Sequence, residues 1–187
     1  MIASGATVLA LASCGPTTGP NATPYANQST YSLWSQLENT ADTKQIMLLE
    51  AELASRGEAQ SYSGMEYIGR RTNSTVGRSS YVRTTPVSGD RNCSDFASPA
   101  AAQKFFLSQG GPTSDPHGLD RDGDGNACEW GKSLRSSVAS HRRYVAQQAA
   151  NERRARARVA ASSRCYVGPR GGTYTITASG NKNYDGC

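Results

Sequence analysis

Apolar residues are thinly spread along this chain and gather in a few short stretches. Ile46, Leu49 and Leu53 recur at i, i+3 and i+7 with Met47 and Leu48 beside them, a period that predicts a helix over 42–55. Gly57, just past Arg56, suits its stop. Trp34, Leu37, Tyr62, Tyr67 and Ile68 supply apolar surface to pack on that helix. A second helix is predicted over 98–108. Ser98 can accept an orphan amide, and Pro99 sits where no hydrogen bond is lost. Ala102, Phe105 and Phe106 share one side of it, and Gly110-Gly111-Pro112 ends it. From Leu134 to Ala161 the chain is rich in Ala, Arg and Gln with no clear apolar stripe. This predicts an exposed helix of good propensity that is marginal without packing. Near the C-terminus Tyr174, Ile176 and Ala178 alternate with Thr173, Thr175, Thr177 and Ser179. Gly180-Asn181 offers a turn, after which Lys182 to Tyr184 can return as a second strand.

Composition fits that pattern. Hydrophobic residues make up 36% of 187 residues, with 19 Gly and 8 Pro, too little apolar material for one large core. The fold class expected is a set of small α+β modules, disulfide-stapled, joined by flexible linkers and an exposed basic helix. No stretch reaches the ~18 apolar residues of a membrane span. The net charge of +5 hides two opposed blocks. Residues 90–130 hold seven acids against three bases, whereas 133–164 hold eight Arg against one Glu. The organisation expected is 1–14 signal, 15–30 tether, 31–72 helical block, 73–89 linker, 90–130 acidic module, 131–164 basic helix or spacer, and 165–187 hairpin.

Five cysteines occur. Setting Cys14 aside leaves four, which allow three connectivities. Locality favours Cys93 with Cys128 and Cys165 with Cys187, because each pair brackets one compositional block. Each bridge closes a loop worth roughly 3–4 kcal/mol by chain entropy, and small modules with thin cores need such staples. No C-x-x-C spacing points to zinc or redox chemistry.

The richest chemistry lies in Asp120-Arg121-Asp122-Gly123-Asp124-Gly125-Asn126-Ala127-Cys128-Glu129. Three carboxylates at i, i+2 and i+4 converge if the loop curls, and like charges that close need a counter-cation. Gly125 stands sixth, where the sharp turn of a calcium loop needs positive φ. Asn126 would offer its backbone carbonyl. Glu129 stands tenth, two positions short of the twelfth residue that closes an EF-hand loop. A bridge from Cys128 to Cys93 would hold that Glu in place.

The run Asp-x-Asp-x-Asp-Gly-x-x-Cys-Glu resembles the Excalibur family, an extracellular calcium-binding region of bacterial surface proteins. Asn92-Cys93-Ser94-Asp95-Phe96, the Ala-rich helix and Asp115-Pro116-His117-Gly118-Leu119 resemble it too. The resemblance implies a Ca²⁺ site at Asp120, Asp122, Asp124 and Glu129, with Asn126 beside them. A flexible, all-protein, carboxylate-rich donor set favours calcium over magnesium, and all-oxygen ligation disfavours zinc and copper. Sites of this kind bind at roughly 10⁻⁴–10⁻³ M.

Ile2 to Ala12 is a short apolar run followed by Leu11-Ala12-Ser13-Cys14-Gly15, read as an export signal. The Leu-Ala-Ser-Cys tetrad resembles the bacterial lipoprotein signal, although no Lys or Arg precedes the apolar run. It implies a lipid on Cys14 and anchoring in the envelope, at the periplasm or outer membrane. Arg153, Arg154, Arg156 and Arg158 crowd under two turns of helix and would attract anionic envelope polymers or, non-specifically, nucleic acid. Tyr166-Val167-Gly168-Pro169-Arg170-Gly171-Gly172-Thr173-Tyr174 and the residues up to Tyr184 resemble the small basic adaptor domain of chlorella-virus proteins. With two His, no nucleophile elbow and no phosphate loop, no catalysis and no small-molecule substrate are expected. The function expected is non-catalytic calcium binding. A polyanion-binding adaptor, or an accessory module of a nuclease system, is the alternative.

Overall fold

A computed structural model describes residues 24–83, 89, 91–162, 164–185 and 187. Cys14, the signal over 1–14 and the tether up to residue 23 lie outside the described residues, as do 84–88 of the expected linker and Asp90. The chain divides into two compact units, one ending at Val138 and the other beginning at Ala139.

In the first unit, helix α1 (Thr30–Asn39) is capped by the Ser29 hydroxyl, which accepts from the Ser32 amide at 3.2 Å. Helix α2 (Thr43–Ser55) starts at Asp42, whose carboxylate accepts from the Gln45 amide at 2.7 Å. Helix α3 (Pro99–Ser108) starts as expected, with Ser98 accepting from Ala101. Helix α4 (Trp130–Ser162) begins in this unit.

Helix α2 is buried on nearly every side. Its Ile46, Leu49 and Leu53 join Leu33 and Leu37 of α1, Ile68, Val76, Ala100 of α3, and Trp130 and Leu134 of α4 in one cluster. Its Met47 and Ala51 join Phe106, Leu107, Leu119 and Ala127 in a second. The expected separation into a 31–72 block and a 90–130 module is therefore corrected: both pack on the same helix. The physical reason is that α2 is apolar on two faces, and its carboxylates are buried with partners. Glu52 takes an ion pair from Arg56 and another from Lys104 of α3, each at 2.7 Å. Glu50 accepts from the Gly69 amide and the Thr72 hydroxyl. Gly69 itself has φ +85, and a Cβ there would stand 2.9 Å from the Leu134 carbonyl.

Two further corrections concern stretches expected to be open chain. Residues 24–29 of the tether fold as a turn. Tyr25 packs on the first cluster, and the Arg56 guanidinium binds the carbonyls of Tyr25, Ala26 and Gln28. Residues 73–83 of the linker likewise pack, with a short 3-10 turn at Asn73–Thr75 and Val76 buried. Small polar residues look like linker in sequence, but here their backbone groups bind distant parts of the fold.

In the second unit, three short antiparallel strands form a sheet in the order β1 (Tyr166–Val167), β2 (Thr173–Ile176), β3 (Lys182–Asn183). Tyr166 pairs with Tyr174, and Thr175 with Asn183. The expected hairpin gains a strand. The buried position on β2 is Thr175, with Tyr174 and Ile176 only half-buried. The Tyr174 ring is instead held by Tyr166 at 5.6 Å, Tyr184 at 5.5 Å and the Lys182 ammonium at 4.6 Å. Cys165 and Cys187 are bridged across the ends.

Candidate metal centre

The loop after α3 is shaped from within by its own carboxylates. Asp115, 1% exposed, accepts from the amides of Leu119 and Asp120 at 2.9 and 3.1 Å. Asp120, 0% exposed, accepts from Gly123 at one oxygen and from Gly125 at the other, at 3.1 and 2.9 Å. Asp124 accepts from the Asn126 amide and side chain at 2.9 and 3.0 Å, and from the Gly77 amide at 2.6 Å. These bonds curl the chain so that Asp120, Asp122 and Asp124 each bring a carboxylate oxygen within 4.8 Å of the others. Gly125 has φ +87, and a Cβ there would stand 2.7 Å from the Tyr81 ring, so both backbone and space demand glycine.

The base of the loop is clamped from three directions. Gln103 of α3, fully buried, donates to the Gly125 carbonyl at 2.8 Å and accepts from the Ala127 amide at 2.6 Å. The Cys128 amide donates to the Leu119 carbonyl at 2.8 Å. Cys128 is also bridged to Cys93, the pairing that locality favoured, with Cα atoms 5.7 Å apart. Cys128 takes φ 54, an uncommon conformation for a side-chain-bearing residue.

Electrostatically the cluster is under stress. Burial pushes the Asp120 carboxyl above its ordinary range. The Gly125 amide opposes that rise, the bond to Asp122 adds to it, Arg83 opposes it, and the Asp124 charge adds again. A carboxylate that resists ionisation because it is buried among others is the setting a divalent cation relieves. The donor set is all oxygen, carries up to three charges and opens at Asp122, which is exposed. The residues present therefore fit a hard cation.

Asn126 and Glu129 stand beside the three aspartates. Asn126 is buried and its side chain binds Asp124, which leaves its backbone carbonyl, the group expected to face the ion, outside that bond. Glu129 lies outside the three-carboxylate cluster. Its side chain is 68% exposed and pairs with Lys132 at 3.5 Å. It borders, with Asp122, Asp124, Asn126 and Gly77, a hollow of about 170 Å³. Sequence reasoning missed Gly77, Tyr81, Arg83 and Gln103. Gln103 leaves a trace, as a lone polar residue on an otherwise apolar helix face. The other three sit among Ser, Thr, Arg and Gly and leave none.

Residues 90–129 match the Excalibur calcium-binding domain. Calcium is the ion of that domain, and the Excalibur segment holds the three clustered aspartates, the Cys93–Cys128 bridge and Gln103. It spans 40 of the 187 residues, and its fold is completed by 73–83 and by α2, both outside the match. Neither the curated proteins nor the solved structures gave a match to the chain. Among the described residues no helix is long and apolar enough to cross a membrane. Arg153, Arg154, Arg156 and Arg158 are all exposed on α4. Among the described residues, these four make one ion pair, Arg156 with Glu152 at 3.9 Å.

Proposed function

We propose that the chain is an exported, non-catalytic calcium-binding protein of the bacterial envelope, held at the membrane by a lipid on Cys14. Calcium is taken by Asp120, Asp122 and Asp124, and Glu129 completes the site from across the hollow by a side-chain movement. The observation that carries this reading is the convergence of three carboxylate oxygens within 4.8 Å inside a segment matching a calcium-binding domain. Bound calcium would offset the burial and the neighbouring carboxylates that hold Asp120 above its ordinary range, and would stiffen the loop against α3. Export agrees with two disulfides. The resemblance of residues 11–14 to a lipoprotein signal supports the anchor.

Melting the full chain in chelator and in about 5 mM CaCl₂ tests this. A site of roughly 10⁻⁴–10⁻³ M then adds about 1–2 kcal/mol, which raises Tm by about 2–8 °C. Asp122→Asn replaces the one exposed carboxylate of the three by a neutral amide and relieves its like-charge contact with Asp120. It should abolish the rise while melting in chelator no lower than the parent. Superimposable melts of the parent with and without calcium would end the proposal.

A second reading is favoured by the exposed arginines of α4: a polyanion-binding adaptor in which calcium merely supports the fold. No base-reading motif accompanies those arginines, so such binding is non-specific.

A further inference from the structure

Residues 76–83, outside the Excalibur match, lie along the aspartate loop. The Gly77 amide donates to Asp124 at 2.6 Å, and the Tyr81 amide donates to the Gly123 carbonyl at 3.0 Å. The Arg135 guanidinium fixes the start of the stretch by donating to the Val76 carbonyl at 3.0 Å. The Tyr81 ring covers Gly125. These contacts deliver Arg83 to the buried side of the site. Its guanidinium lies 3.2 Å from an Asp120 oxygen and 3.6 Å from an Asp115 oxygen, on carboxylates 0% and 1% exposed. Among the described residues no other ion pair reaches either acid.

We propose that Arg83 is a tethered counter-cation of the calcium loop, which holds the acids together without the ion and competes with it for Asp120. The inference rests on the calcium reading above and adds a determinant of affinity. Arginine cannot shed its charge in a protein, so this positive charge is fixed. An ion carrying two charges that approaches the same carboxylate meets a third a few ångströms away. At effective dielectrics between that of the protein surface and water, this repulsion weakens binding by at least about tenfold. Both Asp120 oxygens already accept backbone amides, so the guanidinium adds competition to an acceptor that is already engaged. Asp115, which binds amides rather than clustering with the triad, gives Arg83 a carboxylate to keep when the ion arrives.

Removing this charge therefore has two effects of opposite sign. The ion-free loop loses its cation and becomes less stable, while the site binds calcium more tightly. A residue with a purely structural role would lower stability and would not tighten binding.

Full-length Arg83→Gln and Arg83→Lys, titrated with CaCl₂ by calorimetry and melted in chelator, test the proposal against the parent chain. Arg83→Gln should bind calcium about tenfold more tightly, melt at a lower temperature in chelator and show a larger calcium-induced rise in Tm. Arg83→Lys keeps the charge and should stay within about threefold of the parent. If the parent binds calcium and Arg83→Gln binds equally or more weakly, the role of Arg83 is refuted and the calcium reading stands. If neither binds, both are refuted. If Arg83→Gln is unfolded in chelator, refolding on addition of CaCl₂ supports the proposal, and failure to refold refutes it.

Discussion

Glu50 is a carboxylate in the middle of a core helix, 1% exposed, with one oxygen on the Gly69 amide and the other on the Thr72 hydroxyl. Burial raises its pKa from the ordinary 4.5 to about 7, only partly offset by those two bonds. Glu66 adds to the rise and Arg71 opposes it. Between pH 4.5 and 7 the folded chain holds this proton while the unfolded chain has released it, so stability falls as pH rises through that window. Glu66 behaves in the opposite sense. Burial pushes it up, but the bonds from Arg70 and Arg71 outweigh burial and hold it below its ordinary range. Its contribution is lost on acidification below that range, outside the Glu50 window. Glu50→Gln keeps the shape and removes the titration. It should stabilise the chain by about 1–3 kcal/mol above pH 7 and have little effect near pH 4.5. Denaturant melts across that range check this, and an unchanged pH profile in the variant contradicts it.

At the scale of elements, α4 changes character along its length. Trp130, Leu134 and Val138, four residues apart, are buried in the first unit, whereas residues 150–160 are exposed throughout. The exposed part carries Arg153, Arg154, Arg156 and Arg158 on a helix with almost no internal charge compensation. It should retain the chain on heparin in a salt-sensitive way. Replacing all four by Gln should move elution to clearly lower salt, and unchanged elution would dispose of the polyanion reading. Helices α2 and α3 were legible in the sequence because their signals are local: period, Ser98-Pro99, and glycine at the stops. The loop was legible because carboxylate spacing and glycine position are local as well. Burial of α2 on two faces was not legible, since Glu50 and Glu52 look solvent-facing until partners from Gly69, Thr72 and Lys104 arrive. The role of 76–83 was hidden for the same reason. Gly77 meets Asp124 across 47 positions of sequence, and nothing in a Ser/Thr/Gly stretch announces such a partner.

At the scale of the whole molecule, the first unit is built around one helix, with α1 and the first two turns of α4 on one side and the acidic loop on the other. The Cys93–Cys128 bridge closes 35 residues around α3 and the aspartates, worth about 3–4 kcal/mol by chain entropy. That staple and the shared core let a short acidic loop stay ordered at a cost in repulsion that a cation relieves. The second unit carries its own bridge over 22 residues and a sheet too small to stand without it. Whether the three clustered aspartates bind calcium is read from calorimetric titration of the full chain with CaCl₂. Saturable heat for one ion per chain is expected at roughly 10⁻⁴–10⁻³ M, absent in Asp122→Asn. Heats equal to dilution up to about 10 mM CaCl₂, or the same isotherm in Asp122→Asn, would contradict calcium binding by these aspartates.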